Sequence, residues 1–321
     1  MSPHPRCCTT ALLLAALLAM PAALAQTAVE TTVHPLEHRI WNTRTQRFIS
    51  DAELESGLQD ARFVLLGEVH DNPGHPGIRR DLITALLRDG RRPAIAMEQF
   101  DREHQAALDR TRRDAPRDAE RVKSATRFNT AGWDWPHYEP FVQLALDHDL
   151  PLLAANLSRA DAFRVSTEGA AGVLGAAAVS ALHLDRPLPD AARLKLERII
   201  EEGHCGKAPP SILPGIVNAQ RTRDAVMAQI LARHAGTSAV LIAGNGHVRR
   251  DFGVPHYLAQ HAAGTTIVVV GLLEVREGKT APADYYAGDD PEYDFIAFTP
   301  RTPRPDPCRD IRFRPRPAPA A

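Results

Sequence analysis

Short, unbroken apolar runs separated by polar or glycine-rich segments set the rhythm of this chain. Phe63-Val64-Leu65-Leu66, Ala94-Ile95-Ala96-Met97, Leu152-Leu153-Ala154-Ala155 and Ala239-Val240-Leu241-Ile242-Ala243 are each too short for a helix. Lacking polar alternation, they predict strands buried on both faces. Amphipathic stretches lie between them. Ile78–Arg88 carries Leu82, Ala85 and Leu86 on one face, and further helices are expected near His137–Asp147 and over Ile216–His234. Strand, loop, helix, strand in that order predicts βαβ units and an α/β fold with a mainly parallel central sheet flanked by helices.

Other signals refine this outline. Arg39–Asn42 and Arg47–Ile49 read as a small hairpin, and Asp51 as the cap of a helix running to about Asp60. Between Leu157 and Pro214 strand signals vanish, and alanine-rich or amphipathic segments predict a helical insertion over about 157–215. Thr265–Leu273 predicts a late strand and Tyr293–Phe298 an edge strand, followed by an irregular Pro/Arg tail.

The amino-terminal end reads as an export signal. Arg6 precedes an uncharged apolar run, Ala11–Ala19, and then the small-residue cleavage pattern Ala23-Leu24-Ala25. Residues 1–25 are therefore expected to be removed, leaving 26–321 as a single domain that works in the periplasm or is secreted. Cys7 and Cys8 precede the apolar run instead of closing it, so no lipidated cysteine is expected. No later apolar run approaches the roughly 20 residues that span a bilayer. A net charge of −1 without a basic stripe argues against nucleic acid as a partner. Only Cys205 and Cys308 lie beyond the signal, and two cysteines in an exported chain predict a disulfide; the competing reading is two independent buried thiols.

Candidate chemistry gathers where the predicted strands end. Ligands of open parallel sheets bind beyond the carboxyl ends of the strands, and four such ends here carry polar groups. These are Glu68 and His70, then Glu98, then Asn156, then Asn245 and His247. Imidazole beside carboxylate suits a divalent metal, with His70 and His247 as ligands, or proton transfer with Glu68 or Glu98 as base. His75 shares a loop with His70 and joins the ligand-binding candidates, whereas lone histidines such as His104 or His204 are ordinarily solvated or satisfied. Arg221, Arg223 and Asp224 fall on the helix just before the fourth strand and could clamp an anionic group such as a carboxylate or a haem propionate. G-x-x-H occurs three times, where chance gives roughly one. Gly67–His70 and Gly244–His247 directly follow apolar strands, but Gly253–His256 opens a helix and reads as capping.

The ordered segments "LLGEVHDNPGHPG", "AMEQFDREHQ", "GWDWPHYEP", "LLAANL", "GHCGKAPP", "NAQRTRDAVMA" and "LIAGNGHVRRDFGVPHYL" resemble the ChaN family, the haem-binding uptake branch of the Tiki superfamily. The likeness runs from about Trp41 to Cys308. It implies a non-covalent haem held between two subunits of a homodimer by a tyrosine, with Tyr138 in the aromatic "WDWPHYEP" segment as the candidate, and a role in haem or iron uptake. The wider superfamily, which includes erythromycin-esterase-like and TraB-like proteins, implies instead a metal-dependent hydrolase of peptides or esters. Its paired G-x-x-H motifs and glutamates map onto His70, His247, Glu68 and Glu98. Absence of C-x-x-C-H excludes covalent c-type attachment of haem. With aromatics at 6%, a shallow interface site is expected over a deep aromatic pocket.

Overall fold

A computed structural model describes residues 1, 33–286, 291–306, 308 and 309; the expected export signal lies outside them. The described strands and helices all belong to the unit His34–Ala321. The apolar runs form strands in one eight-stranded sheet. Strands β1 (Ile40–Asn42) and β2 (Arg47–Ile49) are an antiparallel hairpin, and β3 (Phe63–Leu66), β4 (Ala94–Asp101), β5 (Leu152–Asn156), β6 (Ala239–Ile242), β7 (Ile267–Glu274) and β8 (Phe295–Thr299) run parallel to one another. The order across the sheet is β2-β1-β8-β7-β3-β6-β4-β5.

Two expectations change here. Strand β8 is internal, because β1 pairs antiparallel with its outer side and leaves β2 and β5 at the edges. Strand β4 continues through Glu98 to Asp101, with an irregularity in its pairing to β5 between Met97 and Asp101. Glu98 and Gln99 are thus strand residues.

The alternation of side chains along a strand sorts β3 onto two cores. Val64 and Leu66 pack with helices α1 (Asp51–Leu58), α2 (His75–Arg88) and, beyond α3 (Gln105–Asp114) and α4 (Ala119–Ala125), helix α5 (Trp135–Asp147). Phe63 and Leu65 face the opposite side. Between β5 and β6 the chain forms α6 (Arg159–Glu168), α7 (Ala170–Leu174), α8 (Ala176–Ala181), α9 (Asp190–Gly203) and α10 (Leu213–Ala232); α11 (Asn245–Val248) and α12 (Val254–His261) follow β6. Helices α10 and α12 cover Phe63 and Leu65. All four β3 side chains are fully buried, as a two-sided apolar strand requires.

Local signals explain the boundaries. Helix α1 is capped by Ser50, not Asp51: the Ser50 side chain accepts from the Glu53 amide, and Glu53 reaches back to the Ser50 amide. Helix α2 starts at His75, earlier than the apolar pattern indicates, because Pro76 is tolerated in the first turn. Cys205, after α9, is bonded to Cys308 in the tail. Among the described residues no helix is long and apolar enough to cross a membrane.

Candidate functional site

Sheet order decides which loops can meet. Strands β3, β6 and β4 are consecutive neighbours, so their carboxyl ends bring Glu68, His70, His247 and Glu98 together. The two G-x-x-H loops interlock through their glycines. A Cβ on Gly67 would lie 2.2 Å from Asn245 Oδ1, and one on Gly244 would lie 2.8 Å from the His70 ring. Each glycine thus makes room for a side chain of the other loop, a close approach that only glycine permits.

Around Glu68 the site is saturated. Its Oε1 accepts from Tyr138 and from His70 Nδ1, both at 2.8 Å, and its Oε2 is ion-paired with Arg79. Gln99 Nε2 stands 3.4 Å from the same Oε1. Arg79 is fully buried with its guanidinium against the Phe141 ring. A second cluster lies beside the first. His247 Nδ1 is 2.5 Å from Asp224 Oδ1, its Nε2 is 3.3 Å from Glu98 Oε1, and Glu98 Oε2 accepts from the Gly244 amide at 2.8 Å.

These contacts fix protonation. Burial disfavours charge on His247, but the charges of Glu98 and Asp224 and their hydrogen bonds outweigh it, raising the imidazole to about 10. Burial likewise opposes ionisation of Glu98, yet cationic His247, the neighbouring His70 imidazole and the Gly244 amide hold it well below the usual carboxylate range. Asp224 is pushed up to about 6, with burial the dominant cause. His70 is raised despite burial, through its hydrogen bond to Glu68 and the negative charge of Glu98 and Glu68. His70 alone of these groups reaches solvent. Its side chain is 46% exposed and stands edge-on to Trp133, 4.7 Å between ring centres.

This arrangement revises several expected roles. A metal needs imidazole lone pairs, but both His247 nitrogens face carboxylates, which leaves Nε2 of His70 as the one nitrogen of the pair without one. Among the described residues, no three His, Cys, Asp or Glu side chains are placed to hold a metal. The donor set around His70 and His247 therefore does not fit a divalent metal. As general bases Glu68 and Glu98 are poorly placed, being buried and paired; they position His70 and His247 instead. Tyr138 is fully buried and gives its hydroxyl to Glu68, and burial and Glu68 push its ionisation far upward. That leaves it no free oxygen for haem iron.

Three other candidates are braces. His75 is completely buried; Nδ1 accepts from the Val69 amide and Nε2 donates to Thr299, tying the 67–75 loop to β8. Burial and neighbouring Arg79 lower it to about 4, so it is neutral. Asn245 bonds through both amide atoms to the Leu272 backbone, linking α11 to β7. Arg221 donates to the Tyr257 hydroxyl and the Arg186 carbonyl, joining α10 to α12. Asn156 and Arg223 stand apart from the histidines, on a separate polar cavity beyond Gln99.

Arg79 escapes pattern reading, and so does the pairing of Asp224 with His247, though a signal exists for both. Arg79 shares a helical stripe with Leu82, Ile83 and Leu86, and Asp224 shares one with Val217, Met227 and Leu231. A charge within an apolar stripe marks a buried ion pair.

Comparison with known proteins places this geometry. The model of the family described as haem-binding uptake, Tiki superfamily, ChaN matches residues 55–258. The chain belongs to the ChaN family. Among solved structures, the ChaN of Campylobacter jejuni with cofacially bound haem superimposes with a TM-score of 0.64 at 24% identity, covering 80% of this chain and 95% of that one. The type III effector HopBA1 is more distant, with a TM-score of 0.42 at 12% identity, covering 84% of this chain and 99% of that one. An open-conformation mutant of the erythromycin esterase EreC gives 0.40 at 12%, covering 76% and 81%. No curated protein matches the chain.

Proposed function

We propose that this chain binds haem non-covalently outside the cytoplasm, as a ChaN-type protein of haem or iron uptake. Membership of the haem-binding family, matched over residues 55–258, is the observation that carries this reading. The surface offers a place of suitable chemistry. A cavity of about 640 Å³ runs along the end of β7, with Val69, Leu273, Val275 and Tyr285 as apolar wall. Arg276 and Arg301 line it too and have no carboxylate partner within 4 Å among the described residues, so they are available to propionates.

Tyrosinate is an accepted haem ligand, and the five tyrosines differ in access. Tyr138, Tyr257, Tyr285 and Tyr293 are buried with their hydroxyls engaged. Tyr286, next to the cavity residue Tyr285, is half-buried and its hydroxyl has no partner among the described residues. We assign the iron ligand to Tyr286. A shallow site of this kind suits closure by a second copy of the chain.

Titration of the mature protein with haem should produce a saturable Soret band. Tyr286→Phe should shift that band and weaken binding at least about tenfold, the effect of losing one charged ligand contact. No Soret change in the parent protein would remove the haem reading, whereas an unchanged Y286F titration would remove only the ligand assignment.

One observation favours a second reading, hydrolysis without metal. His70 is a partly exposed imidazole backed by Glu68 at 2.8 Å, the arrangement of a proton donor. If the site cleaves esters, His70→Asn should abolish turnover of p-nitrophenyl acetate while leaving the haem titration unchanged. Equal turnover by H70N and the parent would end this reading.

A further inference from the structure

Beyond Gln99, at the ends of β4 and β5, lies a cavity of about 170 Å³ whose wall chemistry the haem reading does not use. Arg127, Arg159 and Arg223 line it, and none has an ion-pair partner within 4 Å among the described residues. Of the three, Arg223 is half-buried, and Arg127 and Arg159 are exposed at the cavity's edge. Three guanidiniums without an ion pair on one small cavity outnumber its one carboxylate, Asp101, and leave a net positive charge.

The same wall carries acceptors lacking donors. Asn156 and Gln99 are each 4% exposed, and Asn156 Oδ1 and Gln99 Oε1 are buried without a hydrogen-bond partner. Leaving such atoms unmet is costly. Asp101 adds one carboxylate to this side. A simple anion would satisfy the arginines but would bring no hydrogens for these oxygens. A cation would do the reverse.

We infer that this cavity binds a small zwitterion of the α-amino acid class, its carboxylate held by Arg127, Arg159 and Arg223 and its ammonium by Asn156, Gln99 and Asp101. The cavity's size admits only a compact ligand, with a side chain directed past Trp133, the residue that separates it from His70. This site is independent of haem binding and of the groove along β7.

Calorimetric titration of the mature protein with glycine, L-serine, acetate and methylamine tests the inference. Glycine and L-serine should bind, with acetate and methylamine at least about tenfold weaker, since each lacks one of the two charges. Arg223→Gln should reduce glycine binding about tenfold while the haem titration and melting temperature stay as in the parent. Asn156→Leu should reduce it similarly; R223Q, at a half-buried position, keeps the test valid if N156L fails to fold. Acetate binding as tightly as glycine would show a plain anion site, and absence of heat from all four would show a cavity filled by water alone. Either result overturns the proposal, as would R223Q binding glycine normally.

Discussion

Replacing His247 with alanine is expected to destabilise the protein by about 3–5 kcal/mol at neutral pH, the cost of stranding buried charges without their partner. His247 is 7% exposed and is the cation between Asp224 and Glu98, themselves 0% and 2% exposed. A loop histidine on the surface could be removed at little cost; this one cannot. The pH dependence identifies it. Folded His247, at about 10, lies above its ordinary 6.5, so its contribution is complete below about pH 6.5 and is lost as pH rises towards 10. His75 has the opposite sign. Lowered to about 4, it contributes fully above 6.5 and loses that contribution as pH falls through 4. Urea midpoints of the parent should therefore peak in mild acid to neutral solution and decline on the alkaline side. H247A should lie lower and lose most of the alkaline decline, so the two curves converge as pH approaches 10. Parallel curves would show that the alkaline limb has another origin and that His247 is neutral in the fold.

The same cluster shows what a sequence can and cannot disclose. Phe63–Leu66 and Ala239–Ile242 are legible because a strand buried on both faces has no polar position, and the G-x-x-H segments that follow them are therefore legible as strand-end loops. Their convergence depends on β6 lying between β3 and β4, a matter of sheet order that no local pattern encodes. Glu98 reads as a loop residue because a carboxylate after an apolar run ordinarily ends a strand. Its pairing with His247 and the Gly244 amide lets β4 carry it inside. Strand β8 looks like an edge for a related reason: its outer neighbour, β1, lies some 250 residues earlier, as the contact between Thr43 and Tyr293 shows. Tyr138 stood out by its aromatic neighbourhood, but that neighbourhood is core packing against Trp133 and Phe128. Tyr286 stands beside Tyr285 in the sequence, and no motif sets it apart. Exposure, which ligand chemistry needs, is what a sequence hides best.

Removing the Cys205–Cys308 bond should lower stability by up to about 4–5 kcal/mol, because the closed loop is long and opening it frees the unfolded chain. The two cysteines are 103 residues apart, so the loop holds α10, β6, β7 and β8. Native geometry should change little, since a second anchor fixes the tail. Arg304 bridges Asp71 and Glu274, and Asn72 holds the Pro300 carbonyl, all without help from the disulfide. Those contacts join the tail to the loop that carries His70. A double variant, Cys205→Ser with Cys308→Ser, should therefore retain the haem titration of the parent while its urea midpoint falls, and reductant should lower the parent's midpoint to the same value. Adding Arg304→Ala to the serine pair removes the ion pairs to Asp71 and Glu274, leaving only neutral side-chain contacts such as Asn72 to Pro300, and should loosen the 67–75 loop, read as faster amide exchange at Val69 and His70. If the serine pair alone accelerates that exchange as much, the disulfide and not Arg304 holds the tail in place. Equal midpoints with and without reductant would show that the bond contributes nothing to stability.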